Sequence, residues 1–276
     1  MQQIIGKHFI VNGYTTHTER RIIMQQIIGK HFIVTGGTSG LGYALTQQLL
    51  AKGAHVTLLV RNIEKFNETH FPVNQHLLDS KYCDLNDATD IHQLTFSKPI
   101  DGFIHSAGLG YFKPILQHSE QEMIETYTIN VLHFNLLLSQ LAPYFTQHPF
   151  IVGVSSLAAF STQTASGHYA ASKAGFNQVL NTLRLEQPDY QVTVVNAGPI
   201  RTPFHAKADP TLNYAAQVDK FMLDPNVLAR DIISAMLKGK AEVNRPKWLH
   251  KLLKIYQLSP RTLERLAPQL FNKKIS

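Results

Sequence analysis

From Met24 to about Asn196 the chain alternates short apolar runs, rich in β-branched and aromatic residues, with longer amphipathic stretches. The runs are HFIVTGG (31–37), HVTLLVR (55–61), HLLDSKYCD (76–84), DGFIHSAG (101–108), PFIVGVSS (149–156) and YQVTVVNAG (190–198). Helix-length segments such as LGYALTQQLLAKG and TYTINVLHFNLLLSQLAPYF separate them. Strand, helix, strand in this order predicts right-handed βαβ units and a parallel sheet covered on both faces. Such sheets bind ligands at the carboxyl ends of their strands.

A length of 276 residues allows one α/β domain with terminal extras. Apolar residues at 44% and charged residues at 16% are ordinary for a globule, which excludes disorder, collagen and coiled coil as whole-chain descriptions. The single cysteine, Cys83, cannot form an internal disulfide, and the apolar runs fall short of the ~18 residues of a spanning helix. The amino terminus lacks a cationic n-region followed by a long apolar h-region, so it carries no signal peptide on this reading. The expectation is a cytoplasmic protein that is not integral to a membrane. Residues 1–11, MQQIIGKHFIV, recur unchanged as 24–34. One perfect copy is not a solenoid. The expected organisation is a duplicated extension over 1–23, unfolded or of cloning origin, a nucleotide-binding catalytic domain over 24–244, and a basic helical tail over 245–276. The net charge of +7 resides in that tail, where eight basic residues face Glu264 alone, while the remaining chain balances 18 basic against 18 acidic residues. A nucleic-acid-binding body carries its basic stripe across the fold, so no nucleic-acid partner is expected.

The first turn carries the first chemistry. Strand HFIV runs through Thr35, Gly36, Gly37, Thr38, Ser39, Gly40, Leu41 and Gly42 directly into a helix, with the spacing TGxxxGxG. Glycines let the backbone approach a pyrophosphate, whose charge meets free N–H groups and the positive end of the helix dipole. A glycine turn alone is a weak signal; its place between strand and helix favours a dinucleotide. About twenty residues further on, where an acid would hold the ribose 2′-hydroxyl of NAD, stands Arg61. Alone it reads as a solvated arginine at a strand end. Beside the glycine turn it favours NADP(H) over NAD(H), because a guanidinium suits a 2′-phosphate. Tyr169 and Lys173 lie four apart, one helical turn from each other. A phenol with an ordinary pKa of about 10 needs a nearby cation to trade protons near neutrality, and Lys173 can be that cation. Ser156, thirteen residues upstream of Tyr169, ends an apolar run where its hydroxyl can reach a substrate carbonyl.

TGxxxGxG, Ser156 and YxxxK together resemble the single-domain branch of the short-chain dehydrogenase/reductase family, over roughly Gly29 to Thr202 and more weakly to about residue 240. The resemblance implies a Rossmann-like, doubly wound parallel sheet of about seven strands flanked by helices in one domain. It further implies Tyr169 as general acid/base, Ser156 polarising the substrate oxygen, and Lys173 holding the nicotinamide ribose while lowering the Tyr169 pKa. Asn130 would support a water in the proton relay and Asp84 would contact adenine. Gly198, Ile200 and Thr202 would cover the nicotinamide, and Ala107 with Gly108 would lie by the adenosine. A small-molecule carbonyl or alcohol substrate and a homo-oligomer, dimer or tetramer, go with it. Two departures stand out. His105-Ser106-Ala107-Gly108 replaces the family's NNAG, which puts the sheet-stabilising hydrogen bonds of the two amides in doubt. Ala197 replaces the proline before Gly198, which should loosen that turn slightly.

Cys83 reads as a buried structural thiol, the 14 histidines show no metal-ligand spacing, and His168 points away from its neighbour Tyr169 on the helix. The segment after Thr202, with Phe204, Tyr214, Phe221 and Met222, reads as an apolar lid that selects an apolar substrate. The reading is therefore an NADP-dependent oxidoreductase. Its rivals are a nucleotide-sugar epimerase or dehydratase, which shares YxxxK but carries a different glycine spacing, and a non-catalytic NADP sensor, which has no need of the full Asn130, Ser156, Tyr169 and Lys173 set. In the tail, a wheel at 100° per residue gathers Trp248, Leu249, Leu252, Leu253, Ile255 and Tyr256 on one arc, with Lys247, His250, Lys251 and Lys254 opposite. Two readings of that helix stay open: packing on the body or another subunit, and peripheral contact with an anionic membrane.

Overall fold

The computed structural model describes residues 27–63, 66, 71–211 and 213–268; the repeated segment 1–23 lies outside them. Seven strands form one sheet: β1 His31–Thr35, β2 His55–Val60, β3 Leu78–Tyr82, β4 Ile100–His105, β5 Phe145–Ser156, β6 Gln191–Ala197 and β7 Glu242–Arg245. Their order is β3-β2-β1-β4-β5-β6-β7 and every neighbouring pair is parallel. The chain winds outward from β1 to β3, then crosses to β4 and winds out the other way, so a crevice opens where β1 and β4 diverge. The helices are α1 Gly40–Ala51, α2 Ala88–His92, α3 Glu120–Tyr127, α4 His133–Leu141, α5 Gly167–Glu186, α6 Phe204–Ala208, α7 Asn213–Val218, α8 Pro225–Leu237, α9 Lys247–Leu258 and α10 Pro260–Leu266. Six of the strands follow the apolar runs. β7, EVNR, escapes pattern reading because Val243 is its only buried side chain and its place depends on pairing with β6.

The apolar runs are continuous because both sheet faces are covered. Phe32, Val34, Ile104, Val152 and Val195 point to the face where α1 packs against α8. Ile33, Phe103, Ile151 and Val194 point to the other, under Phe134 and Leu137 of α4 and Phe176 and Leu180 of α5. Two glycines set how closely these layers approach. A Cβ on Gly102 would drive into the Phe32 ring, which stacks on Phe150 at 6.2 Å. A Cβ on Gly153 of β5 would lie 2.8 Å from Phe176 Cζ and would overlap Leu180. The absence of a side chain at Gly153 therefore lets α5 lie tight on β5.

Gly153→Ala should destabilise the fold by about 1–3 kcal/mol, the usual scale for overpacking a filled core. Urea unfolding followed by circular dichroism measures it. An unchanged midpoint would mean that α5 is not clamped on β5 through this glycine.

Candidate active site

At the carboxyl ends of the strands lies a cleft of about 910 Å³. It is lined by Gly36, Thr38, Ser39, Gly40, Leu41, Gly42, Arg61, Asp84, Ala107, Gly108, Ser156, Tyr169, Lys173, Gly198, Ile200 and Thr202. Every site residue expected from the sequence thus converges there except Asn130, which is wholly buried behind the wall.

One end is built from backbone. Gly36 has φ +66°, and a Cβ on it would meet the Ala107 nitrogen at 2.7 Å; Gly40 has φ +56°, and a Cβ there would meet Thr202 Cγ2 at 2.9 Å. The turn therefore passes close to both the Ala107–Gly108 segment and the Thr202 loop, which only glycine permits. α1 starts here without a side-chain cap from Ser39 and without an acid in its first turn. Its first N–H groups and positive dipole end are left for an anionic ligand. Arg61 is exposed at the end of β2, and Asp84 follows β3 and accepts from the Asn86 backbone N–H at 3.0 Å. The cradle is therefore glycine-lined backbone at an uncapped helix start, and a cation rather than an acid stands beyond it.

The other end is built where β5 and α5 meet. Ser156 Oγ, at the end of β5, accepts the Ala158 N–H at 3.1 Å and hydrogen-bonds the Tyr169 phenol. Lys173 Nζ donates to the Val154 carbonyl at 3.0 Å and sits 6.0 Å from the Tyr169 ring centroid. Lys173 is buried and Tyr169 half-buried at the cleft wall. Desolvation pushes Tyr169 up to about 12, against the pull of the Ser156 hydrogen bond, and lowers Lys173 to about 8. With Lys173 turned toward a backbone carbonyl, burial sets the direction of the Tyr169 shift. Asn130 lies in a π-helical turn, Thr128–Leu132, between α3 and α4. Its Oδ1 accepts the Leu109 N–H at 2.9 Å, and its Nδ2 donates to the Leu109 carbonyl at 2.7 Å and to Ser172 Oγ at 2.9 Å. The side chain thus ties the loop after β4 to α5, one residue from Lys173.

Around the Tyr169 ring stands an aromatic cage. Phe112 lies edge-on to it at 5.8 Å, Phe204 is tilted at 5.6 Å, and Tyr214 packs edge-on to Phe112 at 5.1 Å. Phe112 is held by its N–H on the Ala208 carbonyl at 2.8 Å. Sequence reasoning missed Phe112 because the loop GYFKP has no periodicity; its one signal was an aromatic pair just past Gly108. Of the four expected lid residues, Phe204, Tyr214 and Phe221 line the cleft and Met222 does not.

Of the departures from the family pattern, His105 is compensated at one ring nitrogen only and Ala197 by the backbone that follows it. His105 Nδ1 bonds Thr35 Oγ1 at 3.0 Å across the β1–β4 pair, so the imidazole replaces one amide bond of the sheet. Its ring packs among Phe103, Phe134 and Phe176, where burial first and Lys173 second lower its pKa to about 3 and keep it neutral. The turn after Ala197 is not loose, since the Gly198 N–H donates to the Arg245 carbonyl at 2.7 Å. His168 turns out of the cleft onto Tyr127 and His118, 3.3 Å from the Tyr127 hydroxyl. Cys83 is buried at the cleft edge, and desolvation with nearby Asp90 pushes its thiol up to about 12.

The family model for short chain dehydrogenases matches residues 30–213, so the chain belongs to that family. Among curated proteins it is 28% identical over 185 residues to the NADPH-dependent 3-dehydrocapnine reductase of Ornithobacterium rhinotracheale, covering 62% of this chain and 65% of that one. It is 32% identical over 178 residues to human dehydrogenase/reductase SDR family member 2, mitochondrial, covering 60% of this chain and 64% of that one. The match spans just under two thirds of the length of either relative. A short chain dehydrogenase from Burkholderia cenocepacia, solved in complex with NADP, superposes with a TM-score of 0.72 at 21% identity, over 87% of this chain and 97% of that one.

The lowered Lys173 has a consequence for stability. Its folded value, about 8, lies below the ordinary 10.5 of an unfolded lysine, so between those values the unfolded chain holds more protons. Stability therefore rises with pH across that window, and the cost of burying the cation is fully present below it. Lys173→Met removes the titration, so the parent should gain on this variant as pH is raised from 8 to 10.5. Parallel curves in urea titrations at the two ends of the window would show that Lys173 does not carry the shift.

Proposed function

We propose that this protein is an NADP(H)-dependent oxidoreductase that interconverts an apolar carbonyl compound and its secondary alcohol. The observation that carries the reading is the convergence, in one cleft, of an uncapped helix start with a glycine cradle at one end and the Ser156, Tyr169 and Lys173 set at the other. The preference for the phosphorylated dinucleotide is supported by Arg61 at the end of β2 and by the NADPH named for the Ornithobacterium relative. When bound, the reduced dinucleotide supplies the hydride. Gly36, Gly40, Leu41, Gly42 and the start of α1 would hold its pyrophosphate, Arg61 its 2′-phosphate, Asp84 with Ala107 and Gly108 its adenosine side, and Gly198, Ile200 and Thr202 its nicotinamide.

The remaining chemistry belongs to the chain. Tyr169, raised to about 12, is protonated at neutral pH and can give its proton to a developing alkoxide. Ser156, whose oxygen accepts the Ala158 N–H, directs its own hydrogen to the Tyr169 oxygen and would turn it onto the substrate oxygen beside it. Lys173 lies one turn further along α5, facing the space that Gly108 leaves open, where a Cβ would come within 3.2 Å of its Nζ. Asn130 is a positioning residue, acting through Leu109 and Ser172. Phe112, Phe204 and Tyr214 exclude water from the phenol and select an apolar substituent.

NADPH should bind more tightly than NADH by about 1–3 kcal/mol, the scale of charge-assisted hydrogen bonds to a phosphate, and Arg61→Asp should erode the difference. Fluorescence titration of both dinucleotides decides this; equal affinities would remove the role of Arg61.

Tyr169→Phe should leave NADPH binding intact while turnover, followed by NADPH consumption over a panel of aldehydes, ketones and quinones, falls by about two to four orders of magnitude. Lys173→Ala should weaken both. Near-normal turnover in Tyr169→Phe would sink the assignment of Tyr169 as the acid.

A further inference from the structure

Helix α9 is divided lengthwise in a way that the catalytic reading does not use. The single apolar arc expected from the sequence separates into two. Leu249 and Leu253 turn inward to line the cleft, and Tyr256 is buried, donating to Glu264 at 2.6 Å and accepting the Thr162 N–H at 3.3 Å. Trp248, Leu252 and Ile255, spaced at i, i+4 and i+7, form a second stripe that is 54%, 54% and 59% exposed. Leu258, 84% exposed, continues the apolar surface along α9, and the exposed Phe221 meets Trp248 at a centroid distance of 6.5 Å. Phe221 and Trp248 also line the cleft, so the exposed patch runs into its mouth.

Charge borders this stripe on its outer side. Lys247 and Lys251, one turn apart, make no ion pair among the described residues, whereas Lys254 folds inward over the Phe160 ring at 4.8 Å. α9 itself has no acidic residue, and the one acid of α10, Glu264, is engaged by Arg261 and Tyr256. A surface helix normally buries its apolar stripe. One that also exposes a stripe, with a tryptophan in it and lysines beside it, has the makeup of an interfacial helix. No described helix is long and apolar enough to cross a membrane, so such contact is peripheral. A second copy of the chain fits the patch less well, because a two-fold contact through α9 would oppose Lys247 and Lys251 to their own copies with no acid on the helix to pair them.

We propose that α9 lies in the surface of an anionic bilayer and sets the mouth of the cleft at the lipid interface, so that the carbonyl substrate is an amphiphile drawn from the bilayer. The substrate clause rests on the oxidoreductase reading above; the docking clause does not.

The test uses the full chain with vesicles of phosphatidylcholine alone and of phosphatidylcholine mixed with phosphatidylglycerol. Co-sedimentation is expected with the anionic vesicles at low salt, with much less at high salt, where surface attraction is screened. The double variant Leu252→Glu, Ile255→Glu should bind the vesicles at least about tenfold more weakly, the scale of losing two buried apolar side chains, while NADPH affinity and melting temperature stay at the parent values. Failure of the parent to sediment at low salt overturns the proposal, as does sedimentation unaffected by the variant. A parent dimer that the variant splits, without vesicle binding, assigns the face to a second copy and also overturns it. For the substrate clause, a long-chain ketone held in anionic vesicles is compared with a short water-soluble ketone. The variant should lose activity on the first and keep it on the second; equal activities overturn the clause. Reduction of neither ketone by the parent overturns the oxidoreductase reading, and docking is then decided by sedimentation alone.

Discussion

The close approach of α5 to β5 is the constraint on which the cleft depends. Tyr169 and Lys173 stand on the helix and Ser156 on the strand, so the distance between the two elements fixes the distance between the reacting groups. Gly153 leaves room for Phe176 and Leu180, Lys173 Nζ reaches back to the Val154 carbonyl, and Ser155 Oγ donates to the Lys173 carbonyl at 3.4 Å. From the side, Asn130 fixes Ser172. A buried ammonium beside a half-buried phenol opposes folding unless the hydrogen bonds of both are met. Here the hydrogen bonds are supplied by strand backbone and by Ser156, and the aromatic layer of Phe103, Phe134 and Phe176 beneath them supplies apolar burial that offsets the cost.

The two ends of the cleft work by different physics. On the proposed function, the glycine end would meet charge with backbone N–H groups, a helix dipole and one exposed arginine beyond them. Side chains there are excluded by geometry, as Gly36 and Gly40 demonstrate. The aromatic end recognises shape with groups drawn from a loop, Phe112, and from the short helices after β6, Phe204 and Tyr214. A rigid anion site beside an adaptable apolar site allows one cofactor to serve a substrate whose identity resides in the loops.

The sequence made most of this legible, and the exceptions have physical reasons. Strands buried on both faces announce themselves as continuous apolar runs, which is why five of seven could be read, while β3, with only Leu78 buried, was placed by the run that ends at Cys83 and Asp84. The glycine turn and the Tyr169–Lys173 pair are local in sequence, so spacing alone places them. Asn130 could be matched to a motif, yet its job could not, because its partners Leu109 and Ser172 are brought together only by the fold and its π turn has no hydrophobic signature. The burial that raises Tyr169 was not legible for a similar reason: charge proximity is visible in a four-residue spacing, whereas depth of burial is not. Substitution of His105 for an amide raised doubt about the sheet, and Thr35 opposite it answers that doubt at one ring nitrogen. The wheel of α9 found the apolar residues but joined them in one arc, because a helical projection does not say where the protein body lies.

β7 decides where that body lies. The boundary expected after residue 244 falls inside this strand, and Arg245, counted from sequence with the basic tail, is part of the sheet. Its carbonyl accepts the Gly198 N–H in the turn that closes the cofactor side of the cleft, and its guanidinium pairs with Asp231 of α8 at 2.6 Å. α9 begins two residues later, so it starts from a point already fixed to the cleft rim and has no freedom to trail away as an appendage. Helix α9 is therefore a wall of the cleft: whatever occupies its exposed stripe is held beside the cleft mouth.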